Sequence, residues 1–188
     1  DLSFVELVES LESTFDSIKG FIILTDKENM PDTALKNVIC YEDLIEKESE
    51  EFEWPDFDEN TASSLCYTSG TTGNPKGVLY SHRSTILHTW IVSSGNVANV
   101  SSSSSILPVV PMFHVNAWGI PYAGAMFGAK LVFPGPALDG ASIYELIDSE
   151  KPDLLMGVPT VWLGLLQYLN ETNQTLECVD TALVGGAA

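Results

Sequence analysis

Residues 67–81, which read YTSGTTGNPKGVLYS, contain the side chains with the clearest chemical potential in this chain. Hydroxyl groups alternate with glycines, and one cation, Lys76, stands near the end of the run. Glycine allows positive φ and a close approach of the backbone, so that successive N–H groups can point at phosphate oxygens. Hydroxyl groups can also face a magnesium ion, and a lysine supplies a mobile positive charge. This composition predicts an anion-binding loop for a polyphosphate.

The spacing of this loop differs from that of the Walker loop. In the Walker pattern G-x-x-x-x-G-K-[ST] the lysine directly follows a glycine, whereas Asn74 and Pro75 separate Gly73 from Lys76 here. Apolar stretches on both sides place the run between two strands. The other interpretation is an ordinary surface turn, which most runs of this composition are. The candidate phosphate-binding residues are Thr68, Ser69, Gly70, Thr71, Thr72, Gly73 and Lys76, with Thr68 also the candidate magnesium ligand.

Charge is distributed unevenly along the 188 residues. The formal net charge is −18, and residues 1–60 hold 18 acidic side chains against four lysines, whereas residues 61–188 hold eight against four basic ones. A chain without a basic face has no means of neutralising a phosphate backbone, so nucleic acid is excluded as a partner. We interpret residues 42–60 as a solvated acidic linker. The predicted division is an acidic helix and strand segment with this linker at 1–60, followed by the loop-bearing portion at 61–188.

The cysteines and the hydropathy pattern bear on location. Cys40, Cys66 and Cys178 are odd in number, widely spaced and set among apolar residues, which predicts buried free thiols in a reducing, cytoplasmic compartment. No run of eighteen apolar residues and no signal-peptide pattern is present, so we expect no membrane span. Because the chain lacks an initial Met and stops just after an apolar run, we also expect it to be cut at both ends.

Strands alternate with helices along most of the sequence, which predicts an α/β fold with a mostly parallel sheet flanked by helices on both faces. A helix near residues 4–11 and a strand at 21–24 open the chain, and Ser81 can cap a helix at 82–92. The serine run at 101–105 is interpreted as a flexible surface loop. The remaining predicted strands lie at 106–110, 129–133, 153–157 and 181–184, and the remaining helices at 119–126, between Asp139 and Pro152, and at 159–169.

The segment PMFHVNAWG, residues 111–119, follows a predicted strand and holds two further candidates, His114 and Trp118. Ligands of open parallel sheets bind beyond the carboxyl ends of the strands, which is where these two residues stand. A lone histidine among apolar residues is more often a hydrogen-bonded core residue, and a large aromatic side chain is usually packed. The residues by themselves leave both interpretations open.

The loop YTSGTTGNPKGV resembles, along its whole length, the signature loop of the adenylate-forming superfamily, which includes acyl-CoA synthetases, luciferases and peptide-synthetase adenylation domains. PMFHVNAWGIPYAGAMFGAKLVFPGP is similar to the segment after this loop in medium- and long-chain fatty acyl-CoA synthetases. The resemblance implies that the chain is part of the N-terminal domain of such an enzyme. It implies that Lys76 and His114 are catalytic, and that Trp118 gates an acyl tunnel. The implied substrate-binding residues are His114, Val115 and Trp118, and those implied to carry the adenine ring are Gly185, Gly186 and Ala187.

A third stretch, GVPTVWLGLLQYL at residues 157–169, also resembles this family, in which the helix contributes to the wall of the acyl pocket. His82 and Arg83 follow the loop as in the family's SHR triplet, and we leave them outside the catalytic set. His88 and Lys130 are interpreted as ordinary residues with no role in the site. The helix residues that are either pocket lining or simple core are Val161, Trp162, Leu165 and Leu166.

The activity implied by the resemblance is that of an AMP-forming acid–thiol ligase using ATP, Mg²⁺ and coenzyme A. A fatty (carboxylic) acid attacks the α-phosphorus of ATP to give acyl-adenylate and pyrophosphate, and the CoA thiol then displaces AMP. We expect the family's acidic magnesium ligand, its ribose-binding Asp and its C-terminal domain to be absent, so that these 188 residues alone do not turn over. A homodimer of the full-length protein is left open. The alternatives are a ligase for a short, sulfur-containing or aromatic acid, and a non-catalytic ATP-binding module.

Overall fold

The computed structural model describes residues 2–14, 16–68 and 73–186. The chain forms two compact units, Asp1–Asp56 and Phe57–Ala188. In the described ranges no helix is both long enough and apolar enough to cross a membrane.

The first unit contains two helices and a pair of short strands. Helix α1 spans Val5–Leu11 between two 3₁₀ turns, and α2 spans Tyr41–Ile45. Strand β1, Phe21–Ile23, pairs in parallel with β2, Val38–Cys40. The predicted opening helix and strand are therefore confirmed. After α2, residues 46–60 form no helix or strand and are exposed, as their charge requires.

The second unit begins with an antiparallel hairpin and a capped helix. Strand β3, Ala62–Thr68, pairs with β4, Lys76–Ser81, and Thr68 stands opposite Lys76 at the last rung. Helix α3 follows directly as His82–Val92. Ser81 caps it as predicted, because its hydroxyl accepts from the Ser84 N–H while the Ser84 hydroxyl accepts from the Ser81 N–H. Among the described strands, the hairpin is the antiparallel pair.

A four-stranded parallel sheet in the order β6–β5–β7–β8 forms the centre of this unit. Each strand after β5 is reached through a crossover helix, as βαβ units require. The strands are β5, Ser105–Val109, β6, Lys130–Leu131, β7, Leu154–Gly157, and β8, Thr181–Val184. Between β5 and β6 lie a short turn of helix, α4, Val115–Trp118, and α5, Ile120–Phe127; the other crossovers are α6, Gly140–Glu150, and α7, Pro159–Thr172.

The sheet is covered on both faces because neighbouring residues of a strand point to opposite sides. Ile106 packs with Ile120 of α5 in a cluster that α3 also joins. Leu107, the next residue, packs with Ile147 of α6 and Leu165 of α7 in a second cluster. The predicted parallel sheet with helices on both faces is confirmed. This arrangement holds the carboxyl ends of β5, β7 and β8 side by side.

One local prediction is only partly right, and one element was missed. In the serine run, residues 101–103 are exposed and lie in a turn, as a surface loop does. Ser104, however, is buried and its hydroxyl accepts from the Ser101 N–H, while Ser105 starts β5 and its N–H donates to the Asp153 carboxylate at 2.7 Å. The end of the run therefore belongs to the sheet, which its composition does not indicate. The turn α4 was not predicted at all, for a reason that its dihedral angles explain below.

The central strand gives a test of the fold. Leu107 is fully buried, whereas Leu163 on α7 is 64% exposed, so the same substitution should differ in effect. We expect Leu107→Ala to lower the free energy of unfolding by about 2–5 kcal/mol, because it leaves a cavity. Leu163→Ala should change it by less than about 0.5 kcal/mol. Urea unfolding measures both, and equal effects would contradict the placement of β5 at the centre.

The start of α6 gives a prediction about pH. The Asp139 carboxylate accepts from the Ser142 hydroxyl at 2.7 Å and from the N–H groups of Ser142 and Ala141, and these hydrogen bonds hold its pKa below the ordinary value. A lowered pKa in the folded state means that the cap stabilises the fold above the unfolded-state pKa and loses this contribution as the pH falls through the folded pKa. Asp139→Asn should therefore make the stability less dependent on acid pH. Urea unfolding between pH 2 and 6, with an NMR titration of Asp139, checks this, and an unshifted titration would contradict it.

Candidate functional site

The tip of the hairpin brings two of the predicted phosphate-binding residues together. The Thr68 hydroxyl donates to the Lys76 carbonyl at 3.4 Å, and both residues are exposed. Gly73 has a φ of +114°, and no atom of the described residues lies within 4 Å of where its Cβ would stand. Ser69, Gly70, Thr71 and Thr72 lie outside the described residues.

Lys76 differs from the other cations of the second unit. Within the described part of residues 57–188 no carboxylate lies at ion-pair distance from its ammonium group, and three 2.6 Å ion pairs hold the other cations there. The positive charge at the hairpin tip is therefore available to an anion from outside the chain. The ion pairs are Arg83–Glu59, Lys130–Glu150 and Lys151–Asp148.

The segment after β5 turns in the left-handed direction. Val115, Asn116, Ala117 and Trp118 have φ values of 50°, 51°, 49° and 56°, and Gly119 follows with 76°. A left-handed residue other than glycine costs roughly 1–2 kcal/mol, and a β-branched one such as Val115 is a clear outlier. Sequence patterns report right-handed helices, so this turn escaped prediction. Strain of this size persists only where the surrounding contacts over-determine the conformation.

Several contacts hold the turn. Ala117 is 1% exposed, and the indole of Trp118 packs against the core cluster on the α3 and α5 side of the sheet. The Asn116 side-chain N–H donates to the Ser64 hydroxyl at 2.9 Å, and its oxygen accepts from the Cys66 thiol at 3.4 Å. The turn is thus fixed both to the sheet and to strand β3.

Gly185 and Gly186, the predicted adenine-binding residues, lie at the end of β8 next to this turn. A Cβ on Gly185 would stand 3.0 Å from the Trp118 ring, and one on Gly186, whose φ is +93°, would stand 3.2 Å from Val158. The glycines therefore favour the close approach of Trp118 and Val158, a reason that the sequence did not reveal. Ala187 lies outside the described residues.

His114 stands at the start of the left-handed turn and is exposed. Its backbone N–H donates to Pro111 and its carbonyl accepts from Ala117, both at 3.1 Å. Among the described residues no hydrogen bond to the imidazole ring is found. The alternative of a hydrogen-bonded core histidine is therefore wrong, and the ring is free to meet a ligand at the carboxyl edge of the sheet.

A cavity of about 240 Å³ opens between α3 and the left-handed turn. His88 forms part of its wall, and its imidazole lies so close to Gly119 that a Cβ there would stand 2.7 Å from Nδ1. His88 thus has a structural place in the cavity wall that the sequence did not indicate, and its lack of a role in the reaction stays a prediction. The signal that could have found it is its i, i+4 spacing from Ser84. The lining residues are Tyr80, Ser84, Thr85, His88, Val115, Asn116, Gly119 and Tyr122.

Three of the four residues singled out on helix α7 lie in the core. Trp162 and Leu165 are buried in the cluster on the α6 and α7 side of the sheet, and Val161 packs against it. Leu166 is 54% exposed and stands outside this cluster. None of the four lines the cavity beside the turn.

The described residues offer few protein ligands for a magnesium ion. Among the described residues no group of three or more His, Cys, Asp or Glu side chains could hold a metal ion. Magnesium bound to a nucleotide takes only one or two protein ligands and is otherwise held by phosphates and water. The exposed Thr68 hydroxyl at the hairpin tip could serve as one such protein ligand.

The fold is that of the N-terminal domain of adenylate-forming enzymes. A crystal structure of the anthranilate CoA ligase AuaEII in complex with anthranoyl-AMP matches 99% of this chain with a TM-score of 0.82 and 22% sequence identity, and the match covers 35% of that protein. At this identity the likeness establishes the fold.

The family follows from the sequence itself. The model of AMP-binding enzymes matches residues 9–188, so the chain belongs to the AMP-binding enzyme family. Over its whole length it is 49% identical to the medium-chain-fatty-acid–CoA ligase of Ectopseudomonas oleovorans, of which it covers 34%. It is 47% identical over the same length to the 3-methylmercaptopropionyl-CoA ligase of Ruegeria lacuscaerulensis, of which it covers 35%. The chain spans about a third of the length of these relatives.

The contact between Gly119 and His88 gives a test of the cavity wall. Gly119→Ala adds a methyl group where φ is +76° and where the imidazole is 2.7 Å away, so we expect a loss of about 1–3 kcal/mol in the free energy of unfolding. Gly164→Ala, in the middle of α7 and with free space around it, is the matched control and should stabilise by up to about 1 kcal/mol. Urea unfolding of the two variants decides, and equal stabilities would contradict the described wall.

Proposed function

We propose that the protein is an AMP-forming acid–thiol ligase that activates a fatty acid with ATP and transfers the acyl group to coenzyme A. The observation that carries the proposal is Lys76, which stands opposite Thr68 at the hairpin tip and has no ion-pair partner among the described residues, in a chain of the AMP-binding enzyme family. The relative from Ectopseudomonas oleovorans is named for this reaction on medium-chain fatty acids. The two parts of the chain, 1–60 and 61–188, would both belong to the AMP-binding domain of the longer enzyme.

On the nucleotide side, Lys76 neutralises charge on the β- and γ-phosphates and holds them in place. Phosphoryl chemistry depends mainly on positioning and on charge stabilisation, which an unpaired ammonium group supplies. Thr68, Ser69, Thr71 and Thr72 donate to phosphate oxygens, and glycines 70 and 73 let the backbone approach. A magnesium ion, held in part by the Thr68 hydroxyl, supplies further positive charge when bound. Gly185, Gly186 and Ala187 carry the adenine ring.

On the acid side, His114 and Val115 lie beside the reacting carboxylate, and Trp118 closes the entrance to the acyl pocket. The cavity between α3 and the turn receives the acyl chain, since Val115 lines it and Trp118 is three residues further along the same turn. Its volume of about 240 Å³ lies just below the usual range of about 300–1,000 Å³ for ligand pockets. An unbranched acyl chain fits this narrow space better than a bulky ring system.

A second candidate is a ligase for a short sulfur-containing acid. The observation that favours it is the 47% identity to the 3-methylmercaptopropionyl-CoA ligase, which is close to the 49% of the fatty-acid relative. Both candidates use the same chemistry and differ only in the acid. An aromatic acid and a non-catalytic ATP-binding module are the remaining alternatives, and the experiment below separates all of them.

Location and assembly are a further part of the proposal. All three cysteines are free, and unpaired thiols persist in reducing compartments, which supports the cytoplasm. A homodimer of the full-length protein is proposed for its assembly, and sedimentation of that protein tests it.

Acid-dependent exchange of pyrophosphate into ATP by the full-length protein tests the function. We expect exchange with straight-chain acids between acetate and palmitate, with a maximum at medium or long chains. Lys76→Ala should lower the rate about 100-fold, the usual effect of losing one charge-stabilising group. Lys130→Ala is the matched control, because Lys130 is ion-paired to Glu150 and should leave the rate unchanged.

The acid panel also names the alternatives. A maximum with 3-methylmercaptopropionate or with benzoate would replace the fatty acid as substrate. ATP binding without exchange for any acid would overturn the ligase and leave the non-catalytic module.

A further inference from the structure

Asn116 forms hydrogen bonds between the left-handed turn and the hairpin. Its side-chain N–H donates to Ser64 Oγ at 2.9 Å, and its side-chain oxygen accepts from Cys66 Sγ at 3.4 Å. Ser64 and Cys66 stand two residues apart on β3, so both side chains lie on the same face of the strand. Cys66 is 7% exposed, and Ser64 and Asn116 are half-buried, so solvent is largely excluded from these bonds.

We propose that Asn116 is a positioning residue that fixes the acid-binding turn relative to the phosphate-binding hairpin. This inference rests on the proposed function, since it concerns the alignment of the two substrates. His114 stands two residues before Asn116 and Trp118 two residues after it. Thr68 follows Cys66 by two residues, about 7 Å along the strand. The two halves of the site are thus joined through one side chain, without an intermediate residue.

The position calls for asparagine on two separate grounds. Its φ of 51° is left-handed, and asparagine is among the few residues besides glycine that tolerate this region. Its carboxamide also offers a donor and an acceptor at the same time, which Ser64 and Cys66 use together. Glycine would satisfy the backbone alone. Leucine or glutamine would tolerate the left-handed backbone less well than glycine or asparagine. No simple replacement therefore meets both requirements.

The consequence for catalysis is a defect in alignment rather than in binding. The carboxylate of the acid must lie within about 3–3.5 Å of the phosphorus it attacks, and a misplacement of about 1 Å can cost about 100-fold in rate. Loss of the bonds to β3 lets the turn shift while Lys76 and its loop remain intact. The rate of the exchange reaction should fall, and the affinity for ATP should not.

Asn116→Gly in the full-length protein tests this, because glycine keeps the left-handed backbone and removes the carboxamide. We expect the maximal rate of pyrophosphate exchange to fall at least 10-fold, with the Kd for ATP within twofold of the unsubstituted protein. Asn173→Gly is the matched control, since Asn173 also has positive φ, 54°, but is exposed at the end of α7. It should leave both quantities unchanged.

A second test combines Ser64→Ala with Asn116→Gly. Ser64→Ala alone should lower the exchange rate several-fold. In the Asn116→Gly background it should add less than a twofold loss, because the bond it removes is already gone. Full additivity of the two losses, or an exchange rate for Asn116→Gly within twofold of the unsubstituted protein, would overturn the proposal. A loss of ATP binding in proportion to the loss of rate would also overturn it, since that indicates general damage to the fold.

Reaction of Cys66 with N-ethylmaleimide, followed by peptide mass spectrometry, tests the contact between Asn116 and Cys66 without an activity assay. We expect Asn116→Gly to raise the labelling rate of Cys66 at least fivefold while those of Cys40 and Cys178 stay constant. Unchanged labelling of Cys66 would show that Asn116 does not hold β3 and would overturn the proposal. If the unsubstituted protein shows no exchange with any acid, the ligase function fails, and the labelling result still decides whether Asn116 joins the two segments.

Discussion

The run of left-handed residues from Val115 to Trp118 is the constraint on which the rest of the site depends. Such a run is unfavourable for L-amino acids and exists only because tertiary contacts compensate for it. Ala117 is buried beneath it, Asn116 bonds to β3, and Trp118 packs close to Gly185, where a Cβ would stand 3.0 Å from its ring. The sharp turn places His114 and Trp118 at the edge of the sheet, beside the cavity.

The electrostatics of the chain point to the same region. A net charge of −18 opposes the approach of a polyphosphate, although salt largely screens the charges that lie more than about 8–10 Å away. Local donors must therefore provide the attraction. Three of the four cations after residue 60 are held in ion pairs, and Lys76 stands at the hairpin tip without one among the described residues. Lys76 is thus a locally available positive charge on an acidic protein.

The parallel sheet explains why these features meet. Strands β5, β7 and β8 run side by side in the same direction, so the segments that leave their carboxyl ends converge. The left-handed turn leaves β5, Val158 follows β7, and Gly185 follows β8. The hairpin is not part of this sheet, and it needs contacts of its own, of which the bonds of Asn116 to β3 are the most direct.

Local patterns in the sequence were enough for much of the fold and for the choice of the candidate site residues. Alternating apolar strands and helices determine the parallel sheet, Ser81 and Asp139 determine where two helices begin, and the apolar stretches on both sides of the glycine-rich run determine the two strands of the hairpin. These features depend on neighbours along the chain. The left-handed turn, the place of His88 in a cavity wall and the preference for glycine beside Trp118 were decided only by the tertiary structure. Each depends on contacts between residues far apart in sequence, which no local pattern records.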